Sequence, residues 1–285
     1  MIFTMSGQLI NGRAIADKIL DKTAKKLATL KTNGVNPELA VILVGNDKSS
    51  VNYVERKGVA AKKIGLKFTL YKFDENITTE YLITEIEKIQ NDKNLAGLIA
   101  QLPLPKQIDT AKILNTIKPE IDVDCLSDKN FNKLVVGTNF ITPPTPGAIM
   151  AILEDLNISV SGKLVTIVGA GALVGKPLAL IMNRAGANVS LCDSSTIDTA
   201  TKCREAGILI TGVGKKDLIR GDMIKPGAVI IDAGIDFENN RMYGDVNIAE
   251  ALAVAALVTP TPGGVGPITV AQLLWNTIVC AENKK

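Results

Sequence analysis

Tyr53 and Lys57 stand four residues apart in SVNYVERK. On a helix that spacing puts both side chains on one face, pointing the same way. A phenol and an amine so placed can stack on a ring, hold a ligand or move a proton. Acid–base work must fall to such groups, or to Asp, Glu or water, because the sequence contains no histidine. That absence excludes Ser-His-Asp and Cys-His hydrolysis and histidine-dependent alcohol oxidation. Gln101 closes the apolar run GLIAQL and is followed by PLP. A polar amide at the carboxyl end of a parallel strand lies where open α/β sheets bind ligands. Asp122 and Asp124, in the DVD after Pro119, fall in a loop.

The run VTIVGAGALVGKP, Val165 to Pro177, has the form G-x-G-x-x-x-G between a strand and a helix. Gly169 permits the tight turn, Gly171 lets backbone approach a pyrophosphate, and Gly175 lets the helix pack closely on the sheet. Ala170 and Val174 complete the loop. Free N–H groups at the helix start face negative phosphates. Asp193 ends the next strand, 24 residues after Gly169. A carboxylate there hydrogen-bonds the ribose 2′-OH of NAD and repels the 2′-phosphate of NADP. Ser194, Ser195 and Thr196 follow it, with no arginine to compensate, so the residues themselves favour NAD. Short-chain dehydrogenases also use a Tyr-x-x-x-Lys pair, but there the nucleotide loop comes first in the chain; here the order is reversed.

These groups need a scaffold, and the pattern supplies one. Apolar runs at Leu39–Gly45, Lys67–Phe73 and Ala96–Leu102 read as buried strands. Ser49–Ile64, Thr79–Ile89 and Thr110–Ile117 carry helical spacing between and after them. This βαβ rhythm predicts a parallel sheet covered by helices. A loop-rich zone from Pro119 to about Pro146 marks a boundary. A helix over Gly147–Leu156 leads on. The rhythm then restarts with KLVTIVG, a helix at Leu173–Ala185, ANVSLCD, GILITGVG and GAVIIDAGI. A C-terminal helix follows TPTPGGVGP, over Ile268–Ala281. The expected fold is α/β with two domains and the active-site cleft between them. Residues 1–146 form an α/β catalytic domain, with helix 268–285 packing back on it, and 147–267 form a Rossmann-type dinucleotide-binding domain.

Composition sets the broad class. The chain has 285 residues, 46% hydrophobic and 21% charged, with a net charge of +3. That is a globular protein with no dense basic block for nucleic acid or a membrane surface. Cys125, Cys192, Cys203 and Cys280 are scattered. With no C-x-x-C pair, no secretory pattern at the start and no membrane-length apolar run, the expectation is a cytoplasmic protein without disulfides. No metal site is expected either.

SVNYVERK, GLIAQLPLP, PEIDVD and TPTPGGVGPIT, in this order around a nucleotide loop, resemble the bifunctional methylenetetrahydrofolate dehydrogenase/methenyltetrahydrofolate cyclohydrolase family. The resemblance runs from LINGRAIA to the last helix, and PGGVGP-x-T is its most specific piece. It implies a catalytic lysine at Lys57, a stacking tyrosine at Tyr53 and a glutamine partner at Gln101. It also implies a folate site that includes Leu102 and Pro103, an aspartate holding the pterin's donor edge at Asp124, and a loop closing over the folate at Pro262, Gly263, Gly264 and Val265. Gly169, Ala170, Gly171, Ser194 and Ile235 match positions lining the cofactor. By the same resemblance the cofactor is typically NADP, the protein is a homodimer through its nucleotide domain, and its place is one-carbon metabolism serving purine biosynthesis.

The chain departs from the family at informative places. Ala170 and Gly171 stand where many members carry Arg and Ser, and Asp193 where histidine is typical. Cys125 replaces the glycine of DVDG, so a positive φ there strains it. The resemblance also accounts for the missing histidine. In 5,10-methylenetetrahydrofolate the carbon to be oxidised lies between two nitrogens, which share the charge once hydride leaves. No O–H proton has to be removed. Only the later hydrolysis needs proton handling, and among the matched residues Lys57 is the candidate. Three alternatives stay open: a dehydrogenase lacking the cyclohydrolase step, a dinucleotide-sensing protein without chemistry, and a shikimate-type dehydrogenase, which does not need the PGGVGP loop.

Overall fold

A computed structural model describes residues 7–238 and 241–284. Strand β1 (Gln8–Leu9) leads into helix α1 (Gly12–Thr32). Then β2 (Glu38–Val44), α2 (Lys48–Ile64), β3 (Lys67–Phe73), α3 (Thr79–Ile89), β4 (Leu95–Ala100) and α4 (Thr110–Thr116) alternate. Two helices follow, α5 (Asp128–Val136) and α6 (Pro144–Asp155). Alternation resumes with β5 (Leu164–Val168), α7 (Gly175–Arg184), β6 (Asn188–Cys192), α8 (Thr199–Glu205), β7 (Ile208–Thr211) and β8 (Val229–Asp232). The antiparallel pair β9 (Asp236–Glu238) and β10 (Arg241–Tyr243) precedes α9 (Ile248–Val254), β11 (Leu257–Val258) and α10 (Val265–Asn283).

These elements fall into two compact units, residues 17–144 with 270–284, and residues 7–16 with 145–269. Helices α1 and α10 contribute to both. The first unit holds a parallel sheet in the order β3-β2-β4. Every residue of β2 is buried, which is why ELAVILV reads as a continuous apolar run without alternation. One face, through Ala40, Ile42, Val44, Leu98 and Ala100, packs on Leu82 and Ile86 of α3 and Ile113 of α4. The other face meets α2 and α10 at two glycines. A Cβ on Gly58 of α2 would come 3.2 Å from the Phe68 ring, and one on Gly97 of β4 would come 2.9 Å from Thr277 Oγ1 of α10.

The second unit carries a parallel sheet in the order β1-β11-β8-β7-β5-β6. Strand order reverses beside β5, which makes the carboxyl end of β5 a switch point of a doubly wound sheet. Val168, Leu209, Ile230 and Val258 form one face with Cys203 and Ala251 of α8 and α9. The start of the chain was assigned from sequence to the first unit. In the structure β1 instead pairs with β11. Two residues are too short to show a period, so nothing in the pattern reveals that partner.

Capping residues set most helix limits. Asp47, Thr78, Asp109, Ser127 and Asn247 each accept a backbone N–H from the first turn that follows. The stretch Pro119–Pro146 is less irregular than its composition suggests, since it contains α5. Nine residues show little periodicity, but Ser127 at one end and Gly137, with φ 80°, at the other are its signals. Helix α7 starts at Gly175, two residues later than Leu173, because residues 171–174 are spent in the turn.

Gly12 packs where no side chain fits. A Cβ there would lie 2.0 Å from the Gly264 carbonyl oxygen and 2.6 Å from that of Gly263. Alanine is favoured over glycine in helices by about 1 kcal/mol, but forcing a methyl against backbone costs about 1–3 kcal/mol. Gly12→Ala is therefore expected to destabilise the protein by about 1–2 kcal/mol despite its better propensity. Urea unfolding of the variant checks this; a midpoint at or above that of wild type contradicts the packing argument.

Candidate active site

In the first unit, β2 is flanked by β3 and β4, so the order reverses between β2 and β4 at their carboxyl ends. Two loops leave the sheet there. The one after β2 turns at Gly45, with φ 75°, and enters α2 through the Asp47 cap. The one after β4 begins with Gln101, whose N–H still bonds Ile42 O at 2.8 Å. Ser50, Val54, Lys57 and Ala61 form the buried stripe of α2. Lys57 thus occupies a position where an apolar residue belongs, and is only 9% exposed.

Its amine is not left unpaired. Lys57 Nζ donates to Gln101 Oε1 at 2.9 Å, and Gln101 Nε2 donates to Leu102 O at 2.7 Å. Ser50 Oγ reaches the same carbonyl at 3.5 Å. Burial pushes the Lys57 amine below the ordinary lysine range, opposed by the charge of Asp124. Burial raises Asp124 in turn, opposed by Lys57 and reinforced by Asp122. Tyr53, one turn before Lys57 and half-buried, is also raised by burial, with Arg56 opposing. Tyr53, Lys57, Gln101, Leu102, Pro103 and Asp124 all belong to this one unit. Cys125, directly after Asp124, has φ 58°, the left-handed conformation that its family glycine would take without strain.

The second unit gathers the remaining candidates. Gly169 has φ 109°, and a Cβ on it would lie 2.8 Å from Gly212 O. A Cβ on Gly175 would lie 1.8 Å from Gly169 O, so this turn closes only with glycine at both positions. Gly171 is exposed, and nothing lies within 4 Å of where its Cβ would be. An open, side-chain-free backbone at the start of α7 is what a bound pyrophosphate requires. Val174 Cγ1 lies 3.5 Å from a Cβ built on Gly212, and Ile235 O lies 3.1 Å from one on Gly214. The loops after β5, β7 and β8 therefore meet at the switch point. Asp193 and Ser194 are exposed past the end of β6. Asp193 Oδ1 accepts from Ser195 N and Oγ and from Thr196 Oγ1, bonds that hold its carboxyl below the usual range. Pro262, Gly263 and Gly264 precede α10, which starts at Val265, and Gly263 and Gly264 pack against Gly12 in this same unit.

The catalytic-domain model of tetrahydrofolate dehydrogenase/cyclohydrolase matches residues 10–124, and the NAD(P)-binding-domain model of that enzyme matches residues 143–285. The chain belongs to this family. It is 43% identical over 276 residues to the bifunctional protein FolD of Nautilia profundicola, covering 96% of this chain and 97% of that one. The crystal structure of the FolD dehydrogenase/cyclohydrolase of Campylobacter jejuni superposes with a TM-score of 0.94 at 37% identity, covering 98% and 99%. The Trypanosoma brucei enzyme, crystallised with NADP and an inhibitor, gives 0.93 at 34% identity, covering 97% and 98%. Both the α/β fold and the NAD(P)-binding character of the second unit are those of the tetrahydrofolate dehydrogenase/cyclohydrolase family.

Sequence reasoning missed the acids that shape the family's nucleotide loops here. Asp245 is fully buried. Its carboxylate accepts Thr211 Oγ1, Val213 N, Gly214 N and Lys215 N, all within 2.6–2.8 Å. Asp232, 1% exposed, accepts Gly234 N, Asp245 N and Val246 N. The one signal was an aspartate ending the apolar strand GAVIID; Asp245 had none, because its donors come from 30 or more residues away. Among the described residues no group of acids, cysteines or histidines could hold a metal.

Burial pushes Asp232 up to about 7, past the opposing pull of its backbone donors and with help from Asp245. An acid whose folded pKa lies above its unfolded value binds more protons when folded. Its contribution is full below about pH 4 and disappears as pH rises through 7. Wild type should therefore lose about 2–4 kcal/mol relative to Asp232→Asn between pH 4 and pH 8. Urea unfolding of both proteins across that range is the measurement; a constant difference contradicts a proton on Asp232.

Proposed function

We infer that this protein oxidises 5,10-methylenetetrahydrofolate to 5,10-methenyltetrahydrofolate with a nicotinamide dinucleotide and hydrolyses that product to 10-formyltetrahydrofolate. The observation that carries this reading is the buried Lys57–Gln101 hydrogen bond beside Asp124, in a chain matched by both domain models of the family. The nicotinamide ring, when bound, accepts the hydride. Gly169, Ala170, Gly171, Val174, Gly175, Ser194 and Ile235 are proposed to hold the dinucleotide.

Oxidation asks little acid–base chemistry of the protein. The charge left on the carbon spreads over two substrate nitrogens, so positioning supplies the rate. Tyr53 stacks on the pterin, and the Asp124 carboxylate accepts its N–H edge. Leu102 and Pro103 line the folate site. Hydrolysis of the methenyl cation is different, because water must lose a proton as it attacks. A free lysine is protonated up to about pH 10. Burial lowers Lys57 from there, and the cationic substrate lowers it further. Gln101 holds the amine in place through Oε1, and its own amide is fixed on Leu102 O. Neutral Lys57 then takes the proton from water.

Lys57→Met should lower methenyl hydrolysis by about 10²–10⁴-fold, the usual contribution of a general base. In wild type the hydrolysis rate should fall toward acid pH, as Lys57 becomes protonated below its lowered pKa. Stopped-flow hydrolysis of methenyltetrahydrofolate against pH tests both; full activity in Lys57→Met removes the lysine from the mechanism.

Asp193, at the end of the strand where such folds bind the ribose 2′-OH, supports NAD over NADP, with only Ser194, Ser195 and Thr196 beside it. Initial rates with both cofactors are expected to give the lower KM for NAD, and a KM for NADP far below it overturns this choice. A homodimer is supported by the exposed Leu164 and Leu191 on β5 and the edge strand β6. The four free, buried cysteines suit a reducing cytoplasm; a place in one-carbon metabolism that feeds purine synthesis is proposed from the family.

A further inference from the structure

An asparagine inside an apolar helix needs a reason. Asn276 lies in α10 among Leu273, Leu274 and Ile278, all buried, and is itself 1% exposed. Its helix propensity is poor, and its amide costs free energy in such a place unless bonded. Both amide hydrogens are used. Nδ2 donates to Val123 O at 2.9 Å and to Thr142 O at 2.8 Å, while Oδ1 accepts from Gln272 Nε2 at 3.3 Å. Val123 is the residue before Asp124, so this bond falls on the peptide group that carries Asp124.

The rest of that turn is held from the other side. Asp122, 2% exposed, accepts Leu126 N, Ser127 N, Ser127 Oγ and Asn130 Nδ2. Leu98 N on β4 takes Ile121 O at 2.7 Å. The approach of α10 that brings Asn276 to Val123 depends on Gly97. A Cβ there would meet Thr277 Oγ1 at 2.9 Å and Val123 Cγ1 at 3.1 Å.

We propose that Asn276 is a positioning residue for the folate site: it fixes the Val123 carbonyl and thereby aims the Asp124 carboxylate at the substrate. This rests on the role given to Asp124 above. Asn276 does not touch substrate in this proposal; it acts only through Asp124. The Thr142 carbonyl, just before α6, is the second anchor, which ties two loops distant in sequence to one helix position.

A double-mutant cycle on the full-length protein, with methenyltetrahydrofolate as the probe, tests it. Asn276→Ala should lower kcat/KM for folate hydrolysis at least tenfold and, in a separate assay of methylenetetrahydrofolate oxidation, leave the KM for the dinucleotide unchanged. In an Asp124→Asn background the same change should have less than a twofold further effect, because the group being aimed is already gone. A merely structural role gives losses that multiply, and that result overturns the proposal. So does Asn276→Ala with kcat/KM within twofold of wild type. Should Asn276→Ala not fold, Asn276→Ser, which keeps one donor, is judged by the same two criteria. Thr277→Val, the neighbouring core position, is the control and should lower the thermal midpoint without changing kcat/KM. If Asp124→Asn alone retains full activity, the assignment of Asp124 fails and takes this inference with it.

Discussion

A primary amine taken out of water sets the polar contacts at the carboxyl ends of β2 and β4. An ammonium in a protein interior costs several kcal/mol unless it is paired or gives up its proton. Lys57 sits on the buried stripe of α2, so that cost is built into the helix. Gln101 satisfies the amine without holding a charge against it, while Asp124 pulls its pKa back up. The result is an amine that holds its proton less tightly than an ordinary lysine. A carboxylate in the place of Gln101 would hold the amine protonated, and a fully apolar site would leave it unoriented.

The same economy of buried polar groups recurs around both sheets. Asp122, Asp232 and Asp245 each collect three or four donors, most of them backbone N–H groups of loops. Loops of this kind would otherwise leave their amides to water and move with it. A buried carboxylate replaces that water with one fixed acceptor, so residues that must meet a ligand leave the sheet from a rigid base. Asp232 and Asp245 hold the loops that leave the carboxyl ends of β7 and β8, while the Asp122 turn runs alongside β4. Glycines complete the arrangement. At Gly169, Gly175 and Gly12 the space for a Cβ is already taken by a carbonyl oxygen.

A chain without histidine is compatible with this family because of its substrate. The carbon that loses hydride is already flanked by nitrogen, so the oxidation needs geometry more than proton transfer. One buried amine is the group proposed to serve the hydrolysis that follows. The departures at Ala170, Gly171 and Asp193 all fall in the dinucleotide loops, and none touches the Lys57–Gln101 pair.

Local pattern determined much here. The apolar runs set the strands of both sheets, most within a residue or two, and the 3.6-residue period set α2 and α3. The glycine spacing from Gly169 to Gly175 and the four-residue step from Tyr53 to Lys57 were visible for the same reason: each is a short-range rule of backbone geometry. Other features needed the folded chain. Helix α5 was too short to show a period, and β1 had no pattern linking it to β11. Asn276, Asp122, Asp232 and Asp245 looked like ordinary polar residues. Their roles rest on carbonyls and amides up to 153 residues away, as with Asn276 and Val123. A hydrogen bond between distant segments leaves no periodic trace in sequence, because its geometry exists only once the sheet has brought the two loops together.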